Sequence, residues 1–164
     1  MTVVHIALGS NLGDRAANLE AAISALPPAV EVARRSPVYE TDPEYVTDQP
    51  AFLNMVVCGD TRLEPEDLLR RLKEIERDLG RTPALRYGPR LIDLDIIFFG
   101  GAIVDAPGLV IPHPRLAERI FVLKPLSDIA PAVTHPATGE TVLQLLEKLG
   151  DRTGVRLHSR HLET

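Results

Sequence analysis

The chain has 164 residues, with 18 Lys and Arg against 23 Asp and Glu, a net charge of −5. That length suits a single domain over residues 1–164 with a real core, and the acidic balance excludes a protein that coats nucleic acid, which needs an excess of cations. Cys58 is the single cysteine and has no disulfide partner, so it is expected to be a small buried hydrophobe. No run approaches the ~20 apolar residues of a membrane span, and the N-terminus opens on a strand-like run, so a cytoplasmic chain with no membrane is expected.

Residues 3–8 form a β-branched, apolar run that predicts a buried strand, with Gly9-Ser10-Asn11 as the turn that ends it. Asp14 is placed to cap a helix over residues 15–26, where Leu19, Ala22, Ile23 and Leu26 recur at helical spacing before Pro27-Pro28 stops it. Residues 30–39 and 52–61 are the next strand candidates, joined by a polar loop holding Asp42, Pro43, Asp48 and Pro50. Pro65 opens an amphipathic helix through Leu68, Leu69, Leu72, Ile75, Glu76 and Leu79, closed by Gly80. An irregular stretch over 81–90 leads into a strand over 92–99, and residues 102–104 are expected to return against it as a short hairpin. Short helices broken by Pro125 are predicted over 112–128, and a final helix over 142–149. The order of strand, helix, two strands, helix and strand predicts an α+β, ferredoxin-like antiparallel sheet with packed helices in three α/β/α layers. Fold order alone assigns no activity.

The chemistry gathers around Asp93-Leu94-Asp95. Residues two apart on a strand share a face, so both carboxylates project together with Cα atoms about 6.5–7 Å apart. A bare pair of this kind is also what a strand entrance with solvated aspartates looks like. Left alone, the two would repel, and a divalent cation removes the conflict; oxygen-only donors favour Mg²⁺ over zinc. Only 3 of the 18 cations are Lys, and Arg81, Arg86, Arg90, Arg115 and Arg119 flank the acidic pair. Guanidinium forks beside metal-binding carboxylates make sense if a polyanion must bridge both. No G-x-x-x-x-G-K-[ST] loop is present, and the Gly9 segment lacks a dinucleotide spacing, so that glycine turn is read as structural. His113, stiffened between Pro112 and Pro114, is read as an exposed side chain able to bind phosphate or donate a proton. The alternatives compatible with these residues are a non-catalytic ligand-binding module that senses a nucleotide or another small molecule and a generic Mg²⁺-dependent phosphohydrolase.

Four segments in order, 7–14, 48–54, 88–95 and 111–126, closely resemble the 6-hydroxymethyl-7,8-dihydropterin pyrophosphokinase family, and the likeness runs over nearly the whole chain. The resemblance implies transfer of the β,γ-pyrophosphoryl group of ATP to the hydroxymethyl oxygen of the pterin, releasing AMP, in folate biosynthesis. It implies two Mg²⁺ on Asp93 and Asp95, with Arg81 and Arg90 as the catalytic cations on the transferring group. Lys73, Glu76, Arg86, Ile96, Leu109, His113 and Arg119 are implied for ATP. Thr41, Asp42 and Asn54 are implied for the pterin edge, and Phe52 and Phe121 for its faces. The loops near Asp14, over 42–50 and over 81–89 resemble the covers this family closes over its substrates. Departures from the family pattern at Tyr87, Pro114, Lys73 and Glu44-Tyr45 bear on lid closure and adenosine contact. The expected partners are the two small molecules, with no nucleic acid, and the chain is expected to act as a monomer or weak dimer.

Overall fold

The computed structural model describes residues 1–43, 48–80, 91–150 and 154–160. The chain runs through β1 (Thr2–Ser10), α1 (Arg15–Ala25), β2 (Glu31–Arg35), β3 (Val38–Thr41), β4 (Phe52–Thr61), α2 (Pro65–Asp78) and β5 (Asp93–Phe99). It continues through β6 (Val104–Ala106), β7 (Leu109–Ile111), α3 (Ile120–Ile129), α4 (Val142–Leu149) and β8 (Val155–Ser159), with a 3-10 turn at Leu116–Glu118. The main sheet is antiparallel in the order β5-β1-β4-β3-β8, with β2 also paired to β4.

Local chemistry sets the helix ends. Asp14 accepts a hydrogen bond from the Ala17 N–H at 3.1 Å, satisfying one of the orphan donors of α1. Pro65 occupies the first turn of α2, where no N–H is needed, and Gly80 takes φ +96° just past its end. Thr141 and Gln144 form a reciprocal capping box at α4.

Alternation along β1 sends Val4, Ile6 and Leu8 into a core shared with Leu19 and Ile23 of α1 and Leu68, Leu72 and Ile75 of α2. Ala7 belongs to a second core with Val122, Leu123 and Leu126 of α3 and Leu145 and Leu146 of α4. Each fully buried Leu or Ile contributes about 1.5–3 kcal/mol, so both faces of the central strand are anchored and the ends of β1, β4 and β5 are held in register.

The structure corrects several expectations. Gly9 and Ser10 continue β1 instead of turning, with Gly9 paired to both Asn54 and Asp93. The strand expected over 30–39 is two strands, because Pro37 offers no N–H to the ladder and Ser36 bonds through its side chain to the Val56 N–H instead. Residues 102–104 do not pair with β5; Val104–Ala106 pairs with Leu109–Ile111 in a separate two-stranded sheet. The connection there is Pro107-Gly108, with Gly108 at φ +77°, a Pro-Gly turn that outweighs the Gly100-Gly101 signal. Pro125 lies inside α3, where the buried face of that helix overrides the cost of about 3 kcal/mol for an interior proline. β8 had no counterpart in the sequence reading, and Cys58 is half-buried instead of buried.

Candidate active site

The register places the key side chains at one end of the sheet. Gly9 stands between Asp93 on β5 and Asn54 on β4, so three adjacent strands bring the acidic pair and the Asn54 amide to neighbouring positions. A Cβ on Gly9 would lie 2.7 Å from Asn54 Oδ1, and its absence is what lets that amide sit across the strand. Asn54 Nδ2 donates to Thr41 Oγ1 at 2.6 Å, and both side chains are buried. Gly9, expected in a turn, is instead the strand residue between the two halves of the site.

Asp93 and Asp95 are both half-buried, alternating with the buried Leu94 and Ile96, as the strand period requires. Glu76 on α2 is 2 % exposed, and its Oε2 accepts the Leu94 N–H at 2.9 Å. β5 is an edge strand, so this N–H between the two aspartates has no neighbouring strand to satisfy it, and a buried carboxylate does so instead. The other oxygen of Glu76 lies 3.3 Å from Lys73 Nζ. Burial, then the charge of Asp93, raises the Asp95 carboxyl to about 7, with Glu76 adding to the rise and Arg119 and Lys73 opposing it.

His113 follows the cis Ile111-Pro112 bond and is partly buried, not exposed as expected. Its N–H donates to the Ile97 carbonyl at 3.1 Å and its Nδ1 accepts from the Arg115 N–H at 3.2 Å. Burial, then Arg119, lowers its pKa to about 4, against a smaller opposing pull from Asp93. The side chain is therefore neutral near pH 7. With Nδ1 accepting, the ring proton sits on Nε2, which makes His113 a hydrogen-bond donor and not a cation. Arg119 stands at the start of α3, with its guanidinium 5.5 Å from the centre of the Phe121 ring. Ile96 and Leu109 are packed in the first core cluster, which leaves main-chain groups as what they can offer a ligand.

Beside this group lies a cavity of about 270 Å³ lined by Thr41, Asp42, Glu118, Ile120, Phe121, Gly154 and Val155. Glu118, Ile120, Gly154 and Val155 were not anticipated from sequence. Phe52, half-buried at the start of β4, packs near Gly9 and Asn54. Arg81, Arg86 and Arg90, Tyr87, Glu44-Tyr45 and most of the two longer expected covers lie outside the described residues. Among the described residues, no group of three or more His, Cys, Asp or Glu is arranged to hold a metal ion, and no helix is long and apolar enough to cross a membrane.

Fold and site together define a class, an α+β domain that gathers carboxylates, a neutral imidazole and cationic side chains at one end of an antiparallel sheet, a donor set suited to phosphate chemistry. The model of the 7,8-dihydro-6-hydroxymethylpterin-pyrophosphokinase (HPPK) family matches residues 5–131, and the chain belongs to that family. It is 43% identical over 157 residues to the 2-amino-4-hydroxy-6-hydroxymethyldihydropteridine pyrophosphokinase of Bacillus subtilis, covering 94% of this chain and 89% of that one. The protein of the same name from Methylorubrum extorquens is 45% identical, with 94% and 98% covered. The chain also matches the folic acid synthesis protein fol1 of Pneumocystis carinii at 47% identity over 90% of its own length, but spans only 20% of that protein. Among solved structures, Plasmodium falciparum HPPK-DHPS superposes with a TM-score of 0.74 at 18% identity over 90% of this chain and 43% of that chain, a likeness of fold.

Proposed function

We propose that the chain transfers the β,γ-pyrophosphoryl group of ATP to the hydroxymethyl oxygen of 6-hydroxymethyl-7,8-dihydropterin, releasing AMP, in folate biosynthesis. The observation that carries this reading is the Asp93/Asp95 pair, fixed by Glu76 and set beside Lys73, His113 and Arg119, in a chain of this family.

The donor set fits magnesium. Asp93 and Asp95 offer oxygen only, and burial, with the neighbouring Asp93 charge adding to it, raises the Asp95 carboxyl; a divalent cation would favour its ionised form. Mg²⁺ is characteristically held by one or two carboxylates together with substrate phosphates instead of an all-protein cage. When bound there, two such ions supply neutralisation of phosphate charge and alignment of the attacking hydroxyl with the β-phosphorus.

The chain's own residues do the rest. Glu76 holds the strand between the two aspartates, so their spacing is set before substrate arrives. His113 donates from Nε2 toward phosphate oxygen without adding a charge that would have to be removed later. Lys73 and Arg119 supply positive potential on either side of the acidic pair, with Arg86 on the triphosphate and Arg81 and Arg90 on the transferring group. Thr41, Asp42 and Asn54 read the polar edge of the flat heterocycle, while Phe52 and Phe121 supply faces for stacking.

The strand order β5-β1-β4-β3 supports a ferredoxin-like reading, and the two cores on either side of β1 support three α/β/α layers over one domain of residues 1–164. We read the protein as cytoplasmic and as a monomer or weak dimer that binds its small-molecule substrates without nucleic acid. The test is ATP consumption with and without the pterin. Consumption that requires the pterin and yields AMP is expected. Consumption independent of it would mark a phosphohydrolase, and binding without consumption a sensor.

A further inference from the structure

The family match ends at residue 131, yet the pocket does not. β8 adds a strand beyond β3, with Thr41 paired to Val155 and Glu40 to Arg156. The Asp42 N–H donates to the Gly154 carbonyl at 2.9 Å, so the chain leaving β3 is tied to the first residue of this C-terminal segment. Gly154 has φ +83°, and a Cβ there would lie 2.9 Å from Asp42 Oδ2, so the Asp42 carboxylate occupies the space that the glycine leaves.

One nitrogen then holds two acids. Arg156 Nη2 lies 3.1 Å from Asp42 Oδ1 and 3.4 Å from Glu40 Oε1. Glu40 Oε2 is in turn 3.1 Å from Arg15 Nη1, which also donates to the Ala51 carbonyl at 3.0 Å, immediately before Phe52. A continuous run of charge-assisted contacts therefore joins β8 to Asp42 in the pocket wall and, through Glu40 and Arg15, to the backbone just before Phe52. Arg156 and Asp42 are 49% and 63% exposed, too open for their pairing to contribute much to stability. What the pairing does is fix the direction of a carboxylate in a pocket that also contains Glu118.

We propose that Arg156 is a positioning residue for the pterin pocket, holding the Asp42 carboxylate against its wall in the space that Gly154 keeps clear. The inference rests on the reading of this pocket as the pterin site. A carboxylate held in one orientation can accept N–H donors from the edge of a flat heterocycle, whereas a freely rotating one must be ordered at the moment of binding.

The experiment is steady-state kinetics and thermal melting of the unaltered chain and of Arg156→Ala, Arg156→Lys, Asp42→Ala and the Arg156→Ala/Asp42→Ala double variant. In Arg156→Ala the KM for pterin rises roughly fivefold, the upper end for an exposed ion pair, while the KM for ATP, kcat and Tm stay put. Arg156→Lys restores the pterin KM, since a single nitrogen serves both acids. The double variant is no worse than Asp42→Ala, because Arg156 acts through that residue. An unmoved pterin KM in Arg156→Ala, a joint fall of kcat and Tm, or additive losses in the double variant each overturn the proposal while leaving the functional reading standing. Absence of pterin-dependent AMP from the unaltered chain overturns the functional reading and the proposal with it.

Discussion

Glu76→Ala removes the acceptor that holds the edge of β5 between the two aspartates. In the structure Glu76 is 2 % exposed and takes the Leu94 N–H at 2.9 Å, so truncation leaves a backbone donor without that acceptor in a place water does not readily reach. An orphaned buried donor costs about 1–3 kcal/mol, and the void left by the side chain adds to it, for a total of about 2–4 kcal/mol. In a domain of this size each kcal/mol lowers Tm by about 2–4 °C, which puts the expected fall at roughly 5–15 °C. Glu76→Gln keeps an oxygen for the Leu94 N–H and loses the charge facing the half-exposed Lys73, a cost of about 1 kcal/mol. Thermal melting and urea denaturation of the two variants measure the difference. A Glu76→Ala protein that melts within about 2 °C of the unaltered chain, or a Glu76→Gln protein as unstable as it, would refute the assignment of Glu76 as the satisfier of β5. Both variants also lower kcat in proportion to the displacement of Asp93 and Asp95, which a remote structural defect would not do selectively.

Three further outcomes follow from the same geometry. Asp93→Ala and Asp95→Ala each lose at least about a hundredfold in kcat with circular dichroism and melting intact, the size expected when electrostatic stabilisation of a reacting group is removed; near-normal turnover in either contradicts the metal assignment. Gly9→Ala raises the pterin KM without raising the ATP KM, because the new Cβ meets Asn54 Oδ1 at 2.7 Å and displaces the amide from Thr41; equal effects on both substrates would argue against this division of the site. His5 is buried on β1 with its pKa lowered by burial, and its Nδ1 finds no hydrogen-bond partner among the described residues. The unfolded chain binds a proton at His5 near pH 6.5 and the folded one resists it. Stability is therefore full above that pH and falls below it, by up to about 1.4 kcal/mol per pH unit from this group. Urea titrations between pH 7.5 and 5 check this, since His5→Leu flattens the dependence by that amount, and an unchanged slope sinks the argument.

The parts of the fold legible in the sequence are those where a local rule and the core agree. Asp14, Pro65 and Gly80 mark helix ends because orphan backbone groups need particular residues there, and the apolar period of residues 52–61 matches a strand buried on both faces. β8 was not legible because Val155–Ser159 has three exposed residues in five and forms by pairing with β3, information absent from its own composition. Pro125 was misread because the buried face of α3 decides that segment and local propensity does not. At the site, Asp93 and Asp95 were legible from strand alternation, whereas Glu76 is a positioning acid whose partner is a backbone N–H eighteen residues away. The helical spacing puts Glu76 on the same stripe as Leu68 and Leu72, but the strand N–H that it accepts is a tertiary partner that no spacing in α2 reveals. The same holds for His113, which burial and then the Arg119 charge keep neutral, and for Gly9, whose strand position between Asn54 and Asp93 depends on both partners. The net charge of −5 says little about this part of the chain, where the sequence between residues 81 and 119 carries five Arg against Asp93, Asp95, Asp105 and Glu118.

The central claim is the position of bond cleavage in ATP, and phosphorus-31 NMR of a single reaction mixture containing ATP, Mg²⁺ and 6-hydroxymethyl-7,8-dihydropterin reads it directly. AMP and a pterin diphosphate ester are expected in equal amounts, with no signal growing without the pterin. ADP with a pterin monophosphate, or free orthophosphate at the rate of ATP loss, would contradict it.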